Sequence, residues 1–296
     1  MPRTVPSPLF QLVDAAGSSE SPRKSGNANP KRRRKIAFGW YGGKYSHLNW
    51  LLPLLPKAHH YCEPFGGSAA VLLNREPSPV ETYNDVDGEV ANFFRVLRND
   101  KEHLVELIGL TPFSREEFYL AITDCGEHLS ELERARRFFV RARQVRTGLA
   151  QMASLGRWAN CKNTSRAGMA GVVSRWLGSV ESLPEIAQRL LRVQIENRPA
   201  VEVIRLYDSP DTLFYCDPPY PHESRGDDKA YGFEMTNEEH EQLANVVHRV
   251  KGKAAVSGYH CDLMDTLYTD WRCYEAPAKY CHSVKQLRQE ALWTNF

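Results

Sequence analysis

The tetrapeptide running from Asp217 to Tyr220 constrains the fold most, because two prolines follow directly on the apolar run 213–216. Each proline fixes its own φ and disfavours helical geometry in the residue before it. The run therefore predicts a buried strand that ends in a stiff loop. The Asp217 carboxylate and the Pro218 carbonyl can both accept hydrogen bonds from one amino group, and Tyr220 offers an aromatic face. We interpret the loop as a holder for a flat aminated ring; the alternative is an ordinary Pro-Pro turn.

Strand-like and helix-like segments alternate along the chain. Alternation of this kind is typical of a parallel α/β sheet, which binds ligands at the carboxyl ends of its strands. The predicted strands are 61–63, 80–83, 213–216 and 254–257, and the predicted helices are 68–74, 88–97 and 237–250.

Composition excludes several classes of protein. No stretch approaches the roughly 20 apolar residues of a membrane span, and the first four residues lack the apolar run of a secretory signal. We therefore expect a cytoplasmic protein. Seven cysteines form no close pair, which argues against a disulfide framework. His59, His60 and Cys62 lack the spacing of metal ligands, so no metal is predicted.

The first 35 residues contain Pro, Ser, Asn and Gly without apolar periodicity and end in the basic run Lys31-Arg32-Arg33-Arg34-Lys35. This composition predicts a disordered basic arm outside the fold. Such a run could contact nucleic-acid phosphates, act as a targeting signal or simply solubilise the chain.

A glycine turn follows the first predicted strand, in the segment Glu63-Pro64-Phe65-Gly66-Gly67-Ser68. Glycines at a strand-to-helix turn allow a ligand to approach the backbone closely. The spacing is not G-x-G-x-x-G, which disfavours NAD. Asp85 ends the next strand, where an acid can accept hydrogen bonds from ribose hydroxyls. The alternative role for Asp85 is to cap a loop or helix.

At this point the motifs resemble a known family. Trp40-Tyr41-Gly42-Gly43-Lys44, the glycine turn, Tyr83-Asn84-Asp85, Asp217 to Tyr220 and Ser257-Gly258-Tyr259 are similar, in that order, to motifs of DNA adenine-N6 methyltransferases of the DNA adenine methylase type. Tyr41 and Ser68-Ala69 differ from the residues at the matching positions of the family's motifs, and both differences are mild.

The resemblance implies an α/β fold: a Rossmann-like methyltransferase sheet with an inserted, mostly helical target-recognition domain. The catalytic domain would comprise residues 36–104 and 190–296, and the recognition domain residues 105–189. The implied cofactor is S-adenosyl-L-methionine, bound by Trp40, Lys44, Glu63, Pro64, Phe65, Gly67, Asp85 and Asp217. The implied catalytic residues, which would hold a flipped adenine of double-stranded DNA, are Asp217, Pro218, Pro219 and Tyr220.

Charge is segregated within the predicted recognition domain. Between Arg134 and Val180 there are ten basic residues and no acidic ones, although the whole chain has a net charge of only +2. Such a field suits phosphate neutralisation, whereas the plain alternative is a solvated helix face. The predicted DNA contacts are Arg143, Arg146, Arg157 and Lys162, with Arg225 in a later loop.

Three other functions stay open at this stage. Cytosine-N4 methylation uses the same amino chemistry, a catalytically inactive DNA-binding protein would retain the basic region, and methylation of a protein amide would leave that region without a purpose. A cognate restriction endonuclease is a candidate partner. The target sequence and the oligomeric state do not follow from these motifs.

Overall fold

The computed structural model describes residues 34–124, 126, 128–146, 150, 153–224, 233–281 and 286–296. The described residues form ten α-helices and eleven β-strands. The helices are α1 (Leu48–Leu51), α2 (Ala70–Asn74), α3 (Gly88–Asn99), α4 (Lys101–Leu110), α5 (Arg115–Thr123), α6 (Glu131–Gln144), α7 (Gly171–Leu190), α8 (Ala200–Tyr207), α9 (Asn237–Val247) and α10 (Asp262–Leu267). The strands are β1 (His60–Glu63), β2 (Val80–Asn84), β3 (Ser165–Arg166), β4 (Met169–Ala170), β5 (Gln194–Glu196), β6 (Thr212–Cys216), β7 (Lys253–Tyr259), β8 (Arg272–Glu275), β9 (Lys279–Cys281), β10 (Gln286–Arg288) and β11 (Glu290–Thr294).

Seven strands form one sheet in the order β5-β2-β1-β6-β7-β11-β8. The strands from β5 to β7 are parallel, and β11 runs antiparallel to both of its neighbours. The chain passes from β1 to β2 on one side of β1, and β6 later pairs on the other side. This reversal opens a crevice at the carboxyl ends of β1 and β6, where open α/β sheets bind ligands. The predicted Rossmann-like sheet is confirmed.

Helices cover both faces of the sheet. In β6, Leu213 and Tyr215 point into one hydrophobic core, while Phe214 and Cys216 point into the other. This alternation follows from the two-residue repeat of a strand. Every residue of β6 is buried, as expected for a central strand with helices on both faces. The carboxyl end of β6 is therefore held rigidly from two sides.

The helices of the predicted recognition domain share a core with the sheet. Phe139 of α6 stacks on Phe93 of α3 with ring centroids 5.6 Å apart, and lies 5.5 Å from the ring of Trp176 in α7. The limits 105–189 stay a prediction. Large buried aromatic rings thus pack α6 against both α3 and α7.

Two residues at the end of the predicted basic arm contact the folded part of the chain, and the limits of the arm stay a prediction. The Arg34 guanidinium donates to the Tyr45 carbonyl at 3.3 Å, and the Lys35 backbone N–H donates to Asn74 Oδ1 at 2.8 Å. The Lys35 ammonium also lies 2.7 Å from Glu185. Arg34 and Lys35 therefore belong to the fold; residues 1–33 lie outside the described residues. None of the described helices has the length and apolar character needed to cross a membrane.

A buried ion pair joins the end of α7 to β2. Arg189 contacts both Glu81 oxygens, at 2.5 and 2.7 Å, and the Glu81 side chain is fully buried. Arg192 lies 3.6 Å from the same carboxylate, but its own side chain is 48% exposed.

Replacement of Arg189 by alanine should lower the free energy of unfolding by about 3–5 kcal/mol, because it leaves a buried carboxylate without its partner. Arg192→Ala should lower it by less than about 1 kcal/mol, because an exposed ion pair contributes little. Urea denaturation of the two variants measures the difference. Equal losses would contradict the assignment of Glu81 to Arg189.

Candidate functional site

A cavity of about 430 Å³ opens at the carboxyl ends of β1, β2 and β6. Its lining residues come from six separate segments of the chain. Of the residues predicted to bind a ligand, those that line it are Trp40, Lys44, Glu63, Pro64, Phe65, Gly67, Asp85, Asp217 and Pro219. Pro218 and Tyr220 are buried beside it and are not among the lining residues in the described part of the chain.

The glycine turn is pressed against the end of β2. Gly66 N–H donates to the Asn84 carbonyl at 2.8 Å, and the Tyr83 hydroxyl donates to the Gly67 carbonyl at 2.7 Å. A Cβ on Gly66 would lie 2.1 Å from the Tyr83 ring, and Gly67 has φ +47° with its would-be Cβ 2.7 Å from Trp40. Both glycines are therefore required by the packing of the turn itself.

Asp85 braces this turn as well as lining the cavity. Its Oδ2 accepts from Gly67 N–H at 2.7 Å, and its Oδ1 accepts from Asp87 N–H at 2.9 Å. Burial raises the pKa of Asp85 to about 6. Each carboxylate oxygen has a second lone pair, so Asp85 can cap the loop and still accept a hydrogen bond from a ligand. The two roles considered from the sequence are compatible in this geometry.

Glu63, at the end of β1, is a buried carboxyl group on the cavity wall. The Tyr61 hydroxyl donates to its Oε1 at 2.6 Å. Burial raises its pKa from 4.5 to about 8, which outweighs the opposing effect of that hydrogen bond. Glu63 is therefore mostly protonated near pH 7 and can donate a hydrogen bond as well as accept one.

Lys44 lies at the centre of a buried charged cluster. Its ammonium is 2.6 Å from Asp217 Oδ1, 3.2 Å from Glu290 Oε1 and 2.7 Å from the Gly42 carbonyl. Burial alone would lower its pKa, but the attraction of Asp217 and Glu290 raises the pKa above its ordinary value. The three ammonium protons thus have three acceptors, and Lys44 stays charged.

The two oxygens of Asp217 have different surroundings. Oδ1 accepts from Lys44 and from the Ser257 hydroxyl at 2.9 Å, and the oxygen of the Tyr220 hydroxyl lies 3.3 Å away. Among the described residues no donor contacts Oδ2, although Asp217 lines the cavity and is 18% exposed. Burial raises the pKa of Asp217, Lys44 lowers it and Glu290 raises it again. One oxygen is thus fixed by protein while the other is available to a ligand.

Tyr220 is buried in the conformation that the structure describes. Its hydroxyl donates to Glu290, the Lys44 ammonium lies 4.9 Å from its ring centroid, and Tyr259 packs edge-on at 4.9 Å. The ring is 3% exposed. A stacking role for Tyr220 stays a prediction, whereas its observed contacts brace Lys44 and Asp217.

Half of the predicted basic surface is used inside the protein. Arg143 is one of the predicted DNA contacts, and its guanidinium donates to the Ala37 carbonyl at 2.8 Å and to the Ile36 carbonyl at 3.2 Å. Burial lowers the pKa of Arg143 to about 10. It therefore anchors the segment before Trp40. Four further α6 arginines contact acidic side chains: Arg134, Arg136, Arg137 and Arg141.

The other half remains on the surface. Arg146, Lys162, Arg166 and Arg175 are exposed and Arg157 is half-buried, and none of the five forms an ion pair within the described part of the chain. Arg225 lies outside the described residues. In that same described part, no group of three His, Cys, Asp or Glu side chains is arranged to hold a metal ion.

Sequence reasoning missed Glu290. It is 3% exposed and lies opposite Tyr259 in the β11–β7 pairing. Its only signal is an acidic residue at the start of the apolar run Ala291-Leu292-Trp293. A charge there is costly unless it is paired, which is a reason to search for a buried cation.

The sheet order and the cavity at its switch point define a Rossmann-like protein of the methyltransferase class. The family model of the D12 class N6 adenine-specific DNA methyltransferases matches residues 40–288, and the chain belongs to that family.

Curated relatives agree with this family. The chain is 32% identical over 126 residues to a type II methyltransferase of Lactococcus lactis subsp. cremoris. The aligned region covers 39% of this chain and 43% of that protein. It is 29% identical over 96 residues to a DNA adenine methylase of Vibrio cholerae serotype O1, which covers 31% of this chain and 34% of that protein. The matched part thus spans less than half the length of either relative.

The buried carboxyl of Glu63 makes stability depend on pH. Its pKa is about 8 in the fold, against an ordinary 4.5, so between these values the folded chain binds more protons than the unfolded chain. Its contribution to stability is therefore lost as the pH rises from about 4.5 to about 8. Glu63→Gln, which resembles the protonated form, should flatten this slope in urea titrations at several pH values. The exposed Glu181→Gln should leave the slope unchanged; a slope unaltered in Glu63→Gln would contradict the assignment.

Proposed function

We propose that this chain is a site-specific DNA methyltransferase that transfers a methyl group from S-adenosyl-L-methionine to N6 of a flipped adenine in duplex DNA. The observation that carries the proposal is the asymmetry of Asp217: Lys44 and Ser257 donate to Oδ1, whereas among the described residues no donor contacts Oδ2, and the carboxylate lines the cavity. A fixed acceptor with one unfilled oxygen suits an amino group.

The cavity suits the proposed cofactor in size and chemistry. Its volume of about 430 Å³ lies within the usual range for small-molecule sites. Trp40 and Phe65 provide apolar walls, Gly66 and Gly67 provide close backbone approach, and Asp85 provides an acceptor for hydroxyl groups. S-Adenosyl-L-methionine, when bound, supplies an electrophilic methyl group. Trp40, Lys44, Glu63 to Gly67, Asp85 and Asp217 are the residues proposed to hold it.

The side chains around Asp217 can promote the transfer by electrostatics. The lone pair of an adenine amino group is conjugated with the ring and is a poor nucleophile. Hydrogen bonds from N6 to Asp217 Oδ2 and to the Pro218 carbonyl would favour a tetrahedral nitrogen and stabilise the positive charge that develops on it. Lys44 keeps Asp217 oriented throughout. Asp217 need not act as a general base, since the proton can leave to water afterwards.

The target amino group must leave the duplex to reach this acceptor. Phe233 and Met235 line the cavity, and the Phe233 side chain is 49% exposed at its rim. Residues 225–232, which precede them, lie outside the described residues. We propose that Phe233 and Met235 form walls of the part of the cavity that binds the flipped base.

The exposed basic residues support DNA as the substrate. Arg157 and Trp158 follow α6 and are tied back to it, because Arg146 N–H donates to the Arg157 carbonyl at 2.7 Å and Ala159 N–H donates to the Gln144 carbonyl at 2.8 Å. The following β3–β4 hairpin is exposed, with Arg166 on it. We propose that this segment, residues 153–170, contacts DNA.

The family favours adenine over the alternatives. A match to an adenine-specific class supports N6 of adenine rather than N4 of cytosine, and the intact cluster around Asp217 argues against an inactive DNA-binding protein. Reaction of unmethylated plasmid with the protein and S-adenosyl-L-methionine, followed by long-read sequencing, tests the activity and gives the target sequence. Absence of methyladenine would overturn the proposal. A restriction endonuclease partner stays a prediction.

Asp217→Ala should lower the single-turnover methylation rate on the order of 100-fold to 1,000-fold, because it removes a preorganised acceptor. DNA affinity should persist, since the phosphate contacts lie elsewhere. Asp211→Ala provides the control at the other end of β6, where the side chain is exposed. A rate within tenfold of wild type for Asp217→Ala would exclude the carboxylate from the chemistry.

Arg146→Ala, Lys162→Ala and Arg166→Ala should each weaken DNA binding, and each lost phosphate contact should reduce the slope of log affinity against log salt by about 0.9. Variants that contact a base edge should instead relax one target position by roughly 1–3 kcal/mol. Arg143→Ala should lower thermal stability and leave the salt slope unchanged. Fluorescence anisotropy at several salt concentrations distinguishes the classes, and a changed salt slope in Arg143→Ala alone would reverse the assignment.

A further inference from the structure

Glu290 is a buried acidic residue of β11. This strand runs antiparallel to both of its neighbours in the seven-stranded sheet. It does not line the cavity in the described part of the chain, yet it contacts two of the groups that surround Asp217. Its Oε1 lies 3.2 Å from the Lys44 ammonium and accepts the Tyr220 hydroxyl hydrogen bond. A carboxylate in that position cannot contact a ligand directly, so any effect on the reaction acts through its partners.

We propose that Glu290 is a positioning residue of the methyl-transfer site: it holds Lys44 and Tyr220 so that Asp217 Oδ1 is saturated and Oδ2 is presented to the amino group. This inference rests on the proposed function and deepens it by adding a residue from β11 to the site.

The geometry of the cluster supports this role. The Lys44 ammonium is shared between Asp217 and Glu290, and the Tyr220 hydroxyl donates to Glu290 while its oxygen lies 3.3 Å from Asp217 Oδ1. Without Glu290, the Lys44 ammonium would retain the Gly42 carbonyl and Asp217 as acceptors, and its position would be less constrained. Asp217 could then rotate about its side-chain torsions. A misplacement of about 1 Å can cost about 100-fold in rate.

Charge gives a second consequence of the same arrangement. Two carboxylates share one ammonium, so the negative charge of Glu290 favours protonation of Asp217 and raises its pKa. Removing that charge should lower the pKa of Asp217. The ionisable groups on the elements packed around Asp217 are Lys44, Glu63, Tyr215, Cys216, Tyr220, Tyr259 and Glu290.

Glu290→Gln and Glu290→Ala test the proposal together with Glu81→Gln. Glu81 is the matched control, because it is equally buried in a strand of the same sheet but pairs with Arg189 away from the cavity. Glu290→Ala should lower kcat roughly 100-fold and Glu290→Gln by less. KM for the cofactor should change less than kcat, because Trp40, Phe65 and Asp85 line the cavity without contacting Glu290. Glu81→Gln should lower thermal stability without changing kcat. An unchanged kcat in Glu290→Ala, with active wild type, would overturn the positioning role.

The pH profile separates positioning from a merely structural role. Ionised Asp217 accepts the amino hydrogen bond, so activity is lost as the pH falls through its pKa. In Glu290→Gln that pKa is lower, and the acidic limb of the kcat profile should move to lower pH. The Asp217 carboxyl can also be titrated by 13C NMR, without turnover. A midpoint unchanged in Glu290→Gln would refute the proposal, whereas inactive wild-type enzyme with a shifted midpoint would refute only the proposed function.

Discussion

The site depends on one buried ammonium group. Lys44 has almost no contact with water, and an uncompensated charge there would be prohibitively expensive. Asp217, Glu290 and the Gly42 carbonyl compensate it, and they come from the β6 loop, from β11 and from the loop that contains Lys44 itself. Because breaking one part of a buried ion network strands the others, these segments are held to a single arrangement.

The cavity is the second product of that arrangement. Lys44 joins the first motif to the end of β6, while Asp85 joins the glycine turn to the end of β2. The walls of the cavity are thus held by polar contacts between residues of the protein itself. Preorganised polar groups lower the cost of reorganisation during a reaction, which is the general advantage of building a site at rigid strand ends.

Local sequence patterns indicated those residues of the candidate site that lie within or beside the pattern. Two prolines after an apolar run located Asp217, and a glycine pair after a strand located the turn at Gly66. Glu290 could not be found in this way, because its contacts depend on an antiparallel pairing between segments far apart in sequence. Its contact with Tyr220 joins residues 70 positions apart.

The charge of the basic region likewise depends on contacts with residues outside it. Residues 134–180 contain no acidic side chain and therefore appear strongly positive in sequence. In the structure, however, Arg136 pairs with Glu117 and Glu133, and Arg134 pairs with Glu89. These three glutamates all lie outside residues 134–180. Net charge within a stretch of sequence is therefore a poor measure of surface charge when helices pack together. After α6 ends, Arg146 and Lys162 are exposed, and their contact with DNA stays a prediction.

The cluster around Lys44 also bears on how the protein acquires its activity. Lys44 lies near the beginning of the described residues and Glu290 near their end, so their contact closes a very long loop. Contacts of this kind form late, since their loop-closure entropy must be overcome first. A chain that has collapsed around β1 and α3 would still lack the ordered cluster of Lys44, Asp217 and Glu290. Gain of activity in a refolding experiment would consequently report the last step of folding rather than the first.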